Sequence, residues 1–328
     1  MRISSVVALV LAGSLAWAGS SVRLGGALYP RFMADEMGTS FELMAAEAIL
    51  QAQVTSETRD LVSAVVQVYA GGVMSGWYRG FHFGEAYAVL PLGLSLPAIR
   101  VGQAVVPFGL LADYDVHTQI IQTTYAKTLG LRLDPGVGVL GALGQWQYSA
   151  WLSNGNGPDR MDNDRDKLVT ARVAPRFLLG DAEVTLGLSG LAGSLPYWHI
   201  ESIVSQVEGP RSYNRKYRLG LDNTTDWGPS TLRMEAVVGR DGSIGGPAVY
   251  GYYAEARYAI ASWLEPLAAV DGFHADGGRL NTLSLGLNLY PPNVSALELQ
   301  TLYQRGWSDK MSFGQGHAHF VTQLVVRF

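Results

Sequence analysis

Hydrophobic and polar residues alternate along most of the chain with a period of two. In the final segment one parity carries Ala318, Phe320, Thr322, Leu324, Val326 and Phe328, and the other carries His319, Gln323 and Arg327. Similar pieces of about 9–13 residues recur along the chain, separated by turns rich in Gly, Asp, Asn and Pro. The alternation predicts β-strands that have one apolar and one polar face.

Sixteen such strands are predicted. Their expected starts lie near residues 21, 41, 60, 81, 95, 131, 144, 167, 182, 212, 229, 248, 262, 279, 293 and 317. Counts two lower or two higher also fit the chain length, since a spanning strand takes about 9–11 residues. A soluble sandwich would also produce alternation.

Aromatic residues near the strand ends favour a membrane barrel over a sandwich. They include Trp77, Tyr78, Tyr197, Trp198, Trp263 and Tyr290, and aromatic girdles mark both interfaces of transmembrane barrels. An open sheet edge in lipid would leave backbone groups unpaired, so the sheet must close. We therefore predict an all-β, transmembrane antiparallel barrel of the outer-membrane porin type, with about 16 strands.

The first residues predict export. Arg2 precedes an apolar stretch from Ile3 to Leu15, and Ala16-Trp17-Ala18 matches a small-residue cleavage signal. This is the pattern of a secretory signal peptide, and it is too short for a membrane-spanning helix. A retained N-terminal anchor is the alternative. We expect a signal peptide at residues 1–18, a barrel at residues 19–328, and localisation in the outer membrane.

Composition excludes several other classes of protein. Charged residues make up 16% of the chain, which contains no cysteine and has a net charge of −4. The apolar content argues against disorder, and the missing cysteine excludes disulfides, thiolate metal sites and a cysteine nucleophile. The net charge provides no basic field for nucleic acid.

Three motifs match catalytic or metal-binding patterns in part, but the residues around them do not complete such a site. Gly136, Gly138 and Gly141 form a G-x-G-x-x-G, but the residues that follow alternate as a strand and do not begin a helix. Asp162, Asp164 and Asp166 have calcium-loop spacing without the required glycine or final glutamate. His317 and His319 share a face but have no third ligand. We predict no enzyme, no cofactor and no metal.

Several stretches resemble the phosphate-selective porins O and P of Gram-negative outer membranes. Arg100-Val101-Gly102-Gln103 followed by Pro107-Phe108-Gly109 is similar to that family's strand-to-loop segment. Leu133–Val137, YSAWLSNGN at 148–156, Asp164–Lys167 with Ala171-Arg172, Gly251–Tyr253 and Leu285–Pro291 resemble its later strands, and Phe328 resembles its terminal aromatic residue.

The resemblance implies a sixteen-stranded, usually trimeric pore whose third loop folds inward. The corresponding constriction residues here are Asp113, Asp115, His117 and Lys127. Phosphate-specific members line this constriction with lysines and an arginine ladder, whereas the segment from Pro107 to Gly130 contains one lysine. We therefore expect weak selectivity, tilted towards cations, and no tight phosphate site.

The parity of the strands assigns further residues. The predicted pore-lining residues are Arg100, Arg132, Arg172, Lys216, Arg218, Arg233, Glu235, Glu255, Arg257 and Arg327. Arg215 has the opposite parity and is predicted to face lipid at headgroup depth, where its side chain can snorkel. Phe328 resembles the signal read by the barrel-assembly machinery. The expected partners are this machinery, outer-membrane lipid and the other copies of a possible homotrimer.

The predicted function is an outer-membrane porin for passive diffusion of small hydrophilic solutes or ions. One alternative keeps the barrel as a sheath or scaffold for a partner such as a periplasmic or extracellular multihaem cytochrome. A further alternative, a surface adhesin, would need long loops and predicts a plugged barrel without conductance.

Overall fold

The structure is a computed structural model that describes residues 19–35, 38–56, 60–71, 80–93, 96–110, 119–121, 123, 128–158, 165–196, 213–242, 246–275, 278–308 and 318–328. Within these ranges the chain forms sixteen β-strands. They are β1 (Ser20–Asp35), β2 (Gly38–Thr55), β3 (Asp60–Gly71), β4 (Gly80–Pro91), β5 (Ala98–Val105), β6 (Leu133–Leu143), β7 (Trp146–Ser153), β8 (Leu168–Leu179), β9 (Ala182–Pro196), β10 (Tyr213–Trp227), β11 (Ser230–Asp241), β12 (Ala248–Tyr258), β13 (Leu264–Ala275), β14 (Gly278–Leu289), β15 (Leu297–Ser308) and β16 (Ala318–Arg327).

The strands form one closed barrel. Each strand pairs antiparallel with its neighbours in the sequence, and β1 pairs with β16 to close the ring. The closure includes two backbone hydrogen bonds of 3.0 Å between Gly26 and Phe328, in which each amide donates to the other's carbonyl oxygen. The predicted fold class is confirmed, and all sixteen predicted starts lie within a few residues of the observed ones. Within the described ranges, no helix has the length and hydropathy that a membrane crossing needs.

The two ends of the barrel differ in their connections. At one end, which we call the turn end, strands are joined by residues 56–59, 92–97, 144–145, 180–181, 228–229, 259–263 and 290–296. The opposite end, the loop end, includes the longer connections 106–132, 154–167 and 197–212. β1 begins and β16 ends at the turn end.

Glycine sets the geometry of the tightest turns. Gly144 and Gly228 are the first residues of two-residue connections and have φ angles of 59° and 55°, while Gln145 and Pro229 do not have positive φ. Positive φ at the first central position alone defines a type II′ turn, whose twist matches that of the paired strands. These turns keep β6–β7 and β10–β11 in direct register.

The outer face of the barrel is an apolar belt. The large exposed apolar side chains at outward positions include Leu24, Val101, Val137, Leu152, Val169, Leu188, Leu221, Met234, Val270, Leu285 and Leu324. Exposed aromatic residues bound the belt at the turn end with Trp146, Trp227, Tyr258, Trp263 and Phe328, and at the loop end with Phe41, Phe81, Tyr250, Trp307 and Phe320. An apolar band between two aromatic girdles is the lipid-facing surface of a transmembrane barrel.

The inner face carries the polar side chains of the alternation. On β16, His319, Gln323 and Arg327 share the inward parity, whereas Phe320 and Leu324 are exposed outside. Buried apolar residues also lie inside the barrel, where the connection between β5 and β6 packs against the wall. Among the described residues, the interior therefore holds polar wall side chains and part of the β5–β6 connection.

Candidate pore inside the barrel

The described residues of the connection between β5 and β6, which are 106–110, 119–121, 123 and 128–132, lie inside the barrel. After β5, the amide of Gly109 donates to Ser189 Oγ on β9 at 2.9 Å. The amide of Leu110 donates to Glu235 Oε2 on β11, also at 2.9 Å. Because β9 and β11 lie far around the ring from β5, these contacts carry the chain across the interior. We call residues 106–132 the inward segment.

Two arginines hold the later part of the inward segment. Arg218 of β10 donates from Nε to the carbonyl oxygen of Thr128 at 2.5 Å, and its Nη2 forms an ion pair with Asp241. On another side of the ring, Arg31 of β1 donates from Nη2 to the carbonyl oxygen of Gln119 at 3.3 Å. The wall therefore fixes the segment from at least two directions.

Apolar side chains of the inward segment pack against the wall in two clusters. Phe108 and Leu129 lie together with Trp151, Leu191 and Val237. The second cluster joins Leu110, Ile120 and Ile121 to Tyr253, Leu267, Ala269, Leu302 and Val321 on β12, β13, β15 and β16. Burying these groups against the barrel stabilises the inward course of the backbone.

The four predicted constriction residues, Asp113, Asp115, His117 and Lys127, lie outside the described residues. Their described neighbours Leu110, Gln119 and Thr128 all contact the inner wall. The inward course of the segment around them therefore agrees with the expectation, while their role in a constriction stays a prediction.

A chain of charged side chains runs along the wall from β11 to β14. Arg257 donates from Nε to Glu255 Oε1 at 2.6 Å, and Arg233 Nη1 lies 4.0 Å from the same oxygen. Arg257 also approaches Glu265, 3.8 Å away, which accepts a hydrogen bond from Asn288 Nδ2 at 2.9 Å. The predicted residues Arg233, Glu255 and Arg257 are thus brought together, with their charges largely compensated.

A second polar chain crosses β15, β16 and β1. Arg327 Nη2 pairs with Glu298 Oε2 at 2.6 Å, and Glu298 also accepts from Gln300 at 2.8 Å. Gln300 then accepts from Gln323 at 3.1 Å, and Gln323 accepts from Arg31 Nε at 2.9 Å. This chain links the turn end to the residue that holds Gln119.

Two further predicted arginines have different partners. Arg172 forms a bidentate ion pair with Asp222. The shorter of its two N–O distances, from Nη2 to Oδ1, is 2.5 Å. The Arg100 guanidinium carbon lies 5.0 Å from the centre of the Trp151 ring and 5.4 Å from that of Tyr87, within cation–π distance of both. Arg172 is therefore neutralised by a carboxylate, whereas Arg100 is held by aromatic faces.

Lys216, Arg218 and Glu235 have the predicted inward parity but are buried, and Arg218 and Glu235 lie against the inward segment. Lys216 is only 3% exposed, Arg218 4% and Glu235 3%. Arg218 and Glu235 hold the segment through Thr128 and Leu110, and none of the three side chains presents its charge to open water. Arg132 lies just before β6, and its carbonyl oxygen accepts the Val106 amide at 2.9 Å, which closes the base of the segment.

Several inner-wall residues are not predicted from the sequence. Arg31, Asp222 and Glu265 belong to the contacts above although they were not predicted as pore residues. Arg31 shares the parity of Arg23 and Tyr29 on β1, so strict counting along that strand would have found it. Ser189 and Phe108 give no such signal, because their importance arises from contacts between distant segments.

The described residues contain no group of three or more histidine, aspartate or glutamate side chains placed to hold a metal ion. No protein-family model matches the sequence, and no curated protein matches it.

Solved structures match the whole barrel. OmpT, an outer membrane protein of Vibrio cholerae, is 11% identical with a TM-score of 0.69, covering 96% of this chain and 99% of that one. The outer membrane channel DcaP of Acinetobacter baumannii is 11% identical with a TM-score of 0.65, covering 95% and 99%. An anion-selective porin from Comamonas acidovorans is 13% identical with a TM-score of 0.65, covering 94% and 99%. The chain thus has the fold of Gram-negative outer-membrane porins.

Proposed function

We propose that this protein is an outer-membrane porin that lets small hydrophilic solutes diffuse passively through the barrel. The observation that carries the proposal is the combination of a lipid-type outer face, a polar inner wall and one connection folded across the interior. A closed barrel with a polar interior encloses a water-filled path, and the inward segment narrows it. The proposal includes no catalytic role.

The wall contacts support weak charge selectivity, in which the slight preference for cations that we expect comes from Asp113 and Asp115. Arg172, Arg257 and Arg327 each pair with a carboxylate, so their fields are largely cancelled. Glu47, in contrast, accepts hydrogen bonds from the neutral side chains of Tyr29 and Gln67, at 2.8 and 2.5 Å. Its negative charge therefore remains uncompensated by these contacts, as does the positive charge of Arg100, which lies against the rings of Tyr87 and Trp151. We do not propose a tight phosphate site, since lysine is scarce in the inward segment.

A sheath for a cytochrome or another partner fits the geometry less well. Such a partner would have to occupy the bore, and the inward segment already crosses the bore between β5 and the wall formed by β9 to β11. The wall arginines and glutamates also contact each other in place of presenting a free docking surface.

A homotrimer would use the outer face of β2 to β4. Outward positions there carry small residues, including Ala46, Ala48, Ala64, Ala86 and Ala88. Small residues let neighbouring walls approach closely in a membrane. One similar solved structure, OmpT of Vibrio cholerae, is described in a trimer form. Export by a signal peptide at residues 1–18 and recognition of Phe328 by the barrel-assembly machinery complete the proposal.

A liposome-swelling experiment tests the proposal. Refolded barrel is placed in liposomes, which are transferred into isotonic solutions of neutral sugars of increasing size. We expect fast swelling with small sugars and a steep loss of rate as sugar size rises, because the inward segment limits the bore. Swelling no faster than that of protein-free liposomes would contradict the proposal and favour a plugged barrel.

A further inference from the structure

The outer wall between β8 and β11 contains a groove. Its floor consists of the small residues Ala171, Gly190 and Ala192, which lie on adjacent strands in one patch. Its sides include Tyr217 and Leu219 of β10. The groove has a volume of about 570 Å³ and is lined almost wholly by apolar atoms. Since it interrupts a belt of large apolar side chains, it can seat a hydrocarbon chain more deeply than the wall around it.

A smaller polar pocket of about 260 Å³ continues the groove towards the loop end. Ala192 and Tyr217 line both cavities. The polar pocket, which is nearer the loop end, is also lined by Lys167, Arg215 and Asp166. Arg240 lies beside it, directly opposite Tyr217 in the β10–β11 register. Arg215 and Arg240 are both exposed. Three cationic side chains and one carboxylate therefore surround the end of the apolar groove that is nearer the loop end.

The cations belong to a wider pattern on the outer face. Register and parity place four arginines outward near the loop end, on β10, β11, β14 and β15, namely Arg215, Arg240, Arg279 and Arg305. We call these four the arginine collar. An outward arginine is costly at the bilayer midplane and nearly free at the interface, so the collar marks the depth of the lipid headgroups. Arg215 is exposed near the loop end, and its depth at the headgroups stays a prediction.

We propose that the groove and the basic pocket above it bind one molecule of lipopolysaccharide, with an acyl chain in the groove and phosphate groups at Arg215, Arg240 and Lys167. The proposal rests on the proposed function, because an outer-membrane porin has its long loops on the extracellular side. The loop end would then lie in the outer leaflet, which contains lipopolysaccharide. Guanidinium groups bind phosphate oxygens through paired, charge-assisted hydrogen bonds. Clustered cations favour a lipid with several phosphates over a phospholipid with a single negative charge.

The chain offers a clean way to fill the groove. A Cβ added at Gly190 would meet no atom within 4 Å, and the backbone there is an ordinary strand. Gly190→Leu therefore projects a side chain into the groove without straining the wall. Ala268→Leu on β13 is the matched control, since Ala268 is exposed and outward but lies away from the groove.

The test is a binding titration of refolded barrel with purified lipopolysaccharide, followed by native mass spectrometry. We expect one lipid per barrel in the parent. We also expect about tenfold weaker binding in Arg215→Gln with Arg240→Gln, since each arginine supplies charge-assisted contacts. Gly190→Leu should lose binding to a similar extent. Ala268→Leu, and Arg305→Gln from the far side of the collar, should bind as the parent does.

Other outcomes overturn the proposal. Parent-like affinity in both Gly190→Leu and the double variant Arg215→Gln, Arg240→Gln would exclude the proposed occupant. Equal affinity of the parent for dephosphorylated lipopolysaccharide or for phosphatidylglycerol would also exclude it. A change in oligomer mass caused by Gly190→Leu would assign the groove to a second copy of the chain. Conductance of the same preparations separates the two proposals. A barrel that conducts but does not bind overturns only the lipid site, and one that binds but does not conduct overturns only the channel.

Discussion

Arg218 of β10 donates a 2.5 Å hydrogen bond from Nε to the carbonyl oxygen of Thr128, near the end of the inward segment. The same guanidinium also pairs with Asp241 and donates to the carbonyl oxygen of Arg240 at 2.8 Å. One buried side chain thus ties the inward segment to β10 and β11. This contact acts together with those of Gly109, Leu110 and Gln119, which also hold described residues of the segment against the inner wall.

Replacing Arg218 with Met should loosen the inward segment. The change leaves the Asp241 carboxylate without its partner and the Thr128 carbonyl without its donor, and breaking a buried ion pair costs about 3–5 kcal/mol. We expect a lower free energy of unfolding in urea and noisier single-channel currents. Arg215→Met is the control, because Arg215 is on the same strand but faces outward. Quiet currents of parental size in Arg218→Met would show that the contact does not hold the segment.

Deleting residues 113–124 should raise single-channel conductance. The deletion removes Ile120 and Ile121 from their cluster with Tyr253 and Leu302 and shortens the chain that crosses the bore. A deletion of equal length within residues 197–212 serves as the control, since that connection joins β9 to β10 at the loop end. If both deletions leave the conductance of correctly assembled barrels unchanged, the inward segment does not limit the path.

Asp113→Asn together with Asp115→Asn should shift the reversal potential in a KCl gradient towards anions. Selectivity depends on uncompensated charge at a narrow point, and the wall arginines Arg172, Arg257 and Arg327 already have carboxylate partners. The exposed pair Arg176 and Glu183 lies near the turn end, so Glu183→Gln is a suitable control and should shift the potential less. An equal shift of the reversal potential in both variants would contradict the assignment of Asp113 and Asp115 to the constriction.

Phe328→Asp should lower the amount of assembled barrel in the outer membrane. The backbone of Phe328 pairs with Gly26 across the closing seam, and its ring lies over Gly26 at the outer surface. A carboxylate there would face lipid and would remove the terminal aromatic residue. The measurement is the heat-modifiable, SDS-resistant fraction of the protein. Phe328→Tyr is the conservative control and should assemble normally, and normal assembly of Phe328→Asp would contradict the assigned role.

The strands could be predicted from the sequence because the alternation that defines each strand lies within its own residues. Parity along β16 separates Phe320 and Leu324 from Gln323 and Arg327, and each segment needs only its own residues to show this. The turns are equally local, since Gly144 and Gly228 occupy positions that require positive φ. Sixteen strand starts therefore emerged with errors of only a few residues.

The interior could be predicted only in part because it depends on contacts between distant residues. The parity of Arg218 and Glu235 indicates an inward side chain, but their burial arises from Thr128 and Leu110, which are 90 and 125 residues away in the sequence. Partners such as Asp222 for Arg172 depend on which strands become neighbours around the ring. Alternation tells which face a side chain occupies and not what it meets there.

Planar-bilayer conductance of the purified barrel tests the central claim most directly, since it asks whether the polar interior is an open path. We predict discrete, reproducible conductance steps, a reversal potential in a KCl gradient that indicates a weak cation preference, and no block by micromolar phosphate. A correctly folded barrel that inserts but gives no steps would contradict the channel. Strong anion selectivity with phosphate block would contradict the assignment of the inner wall.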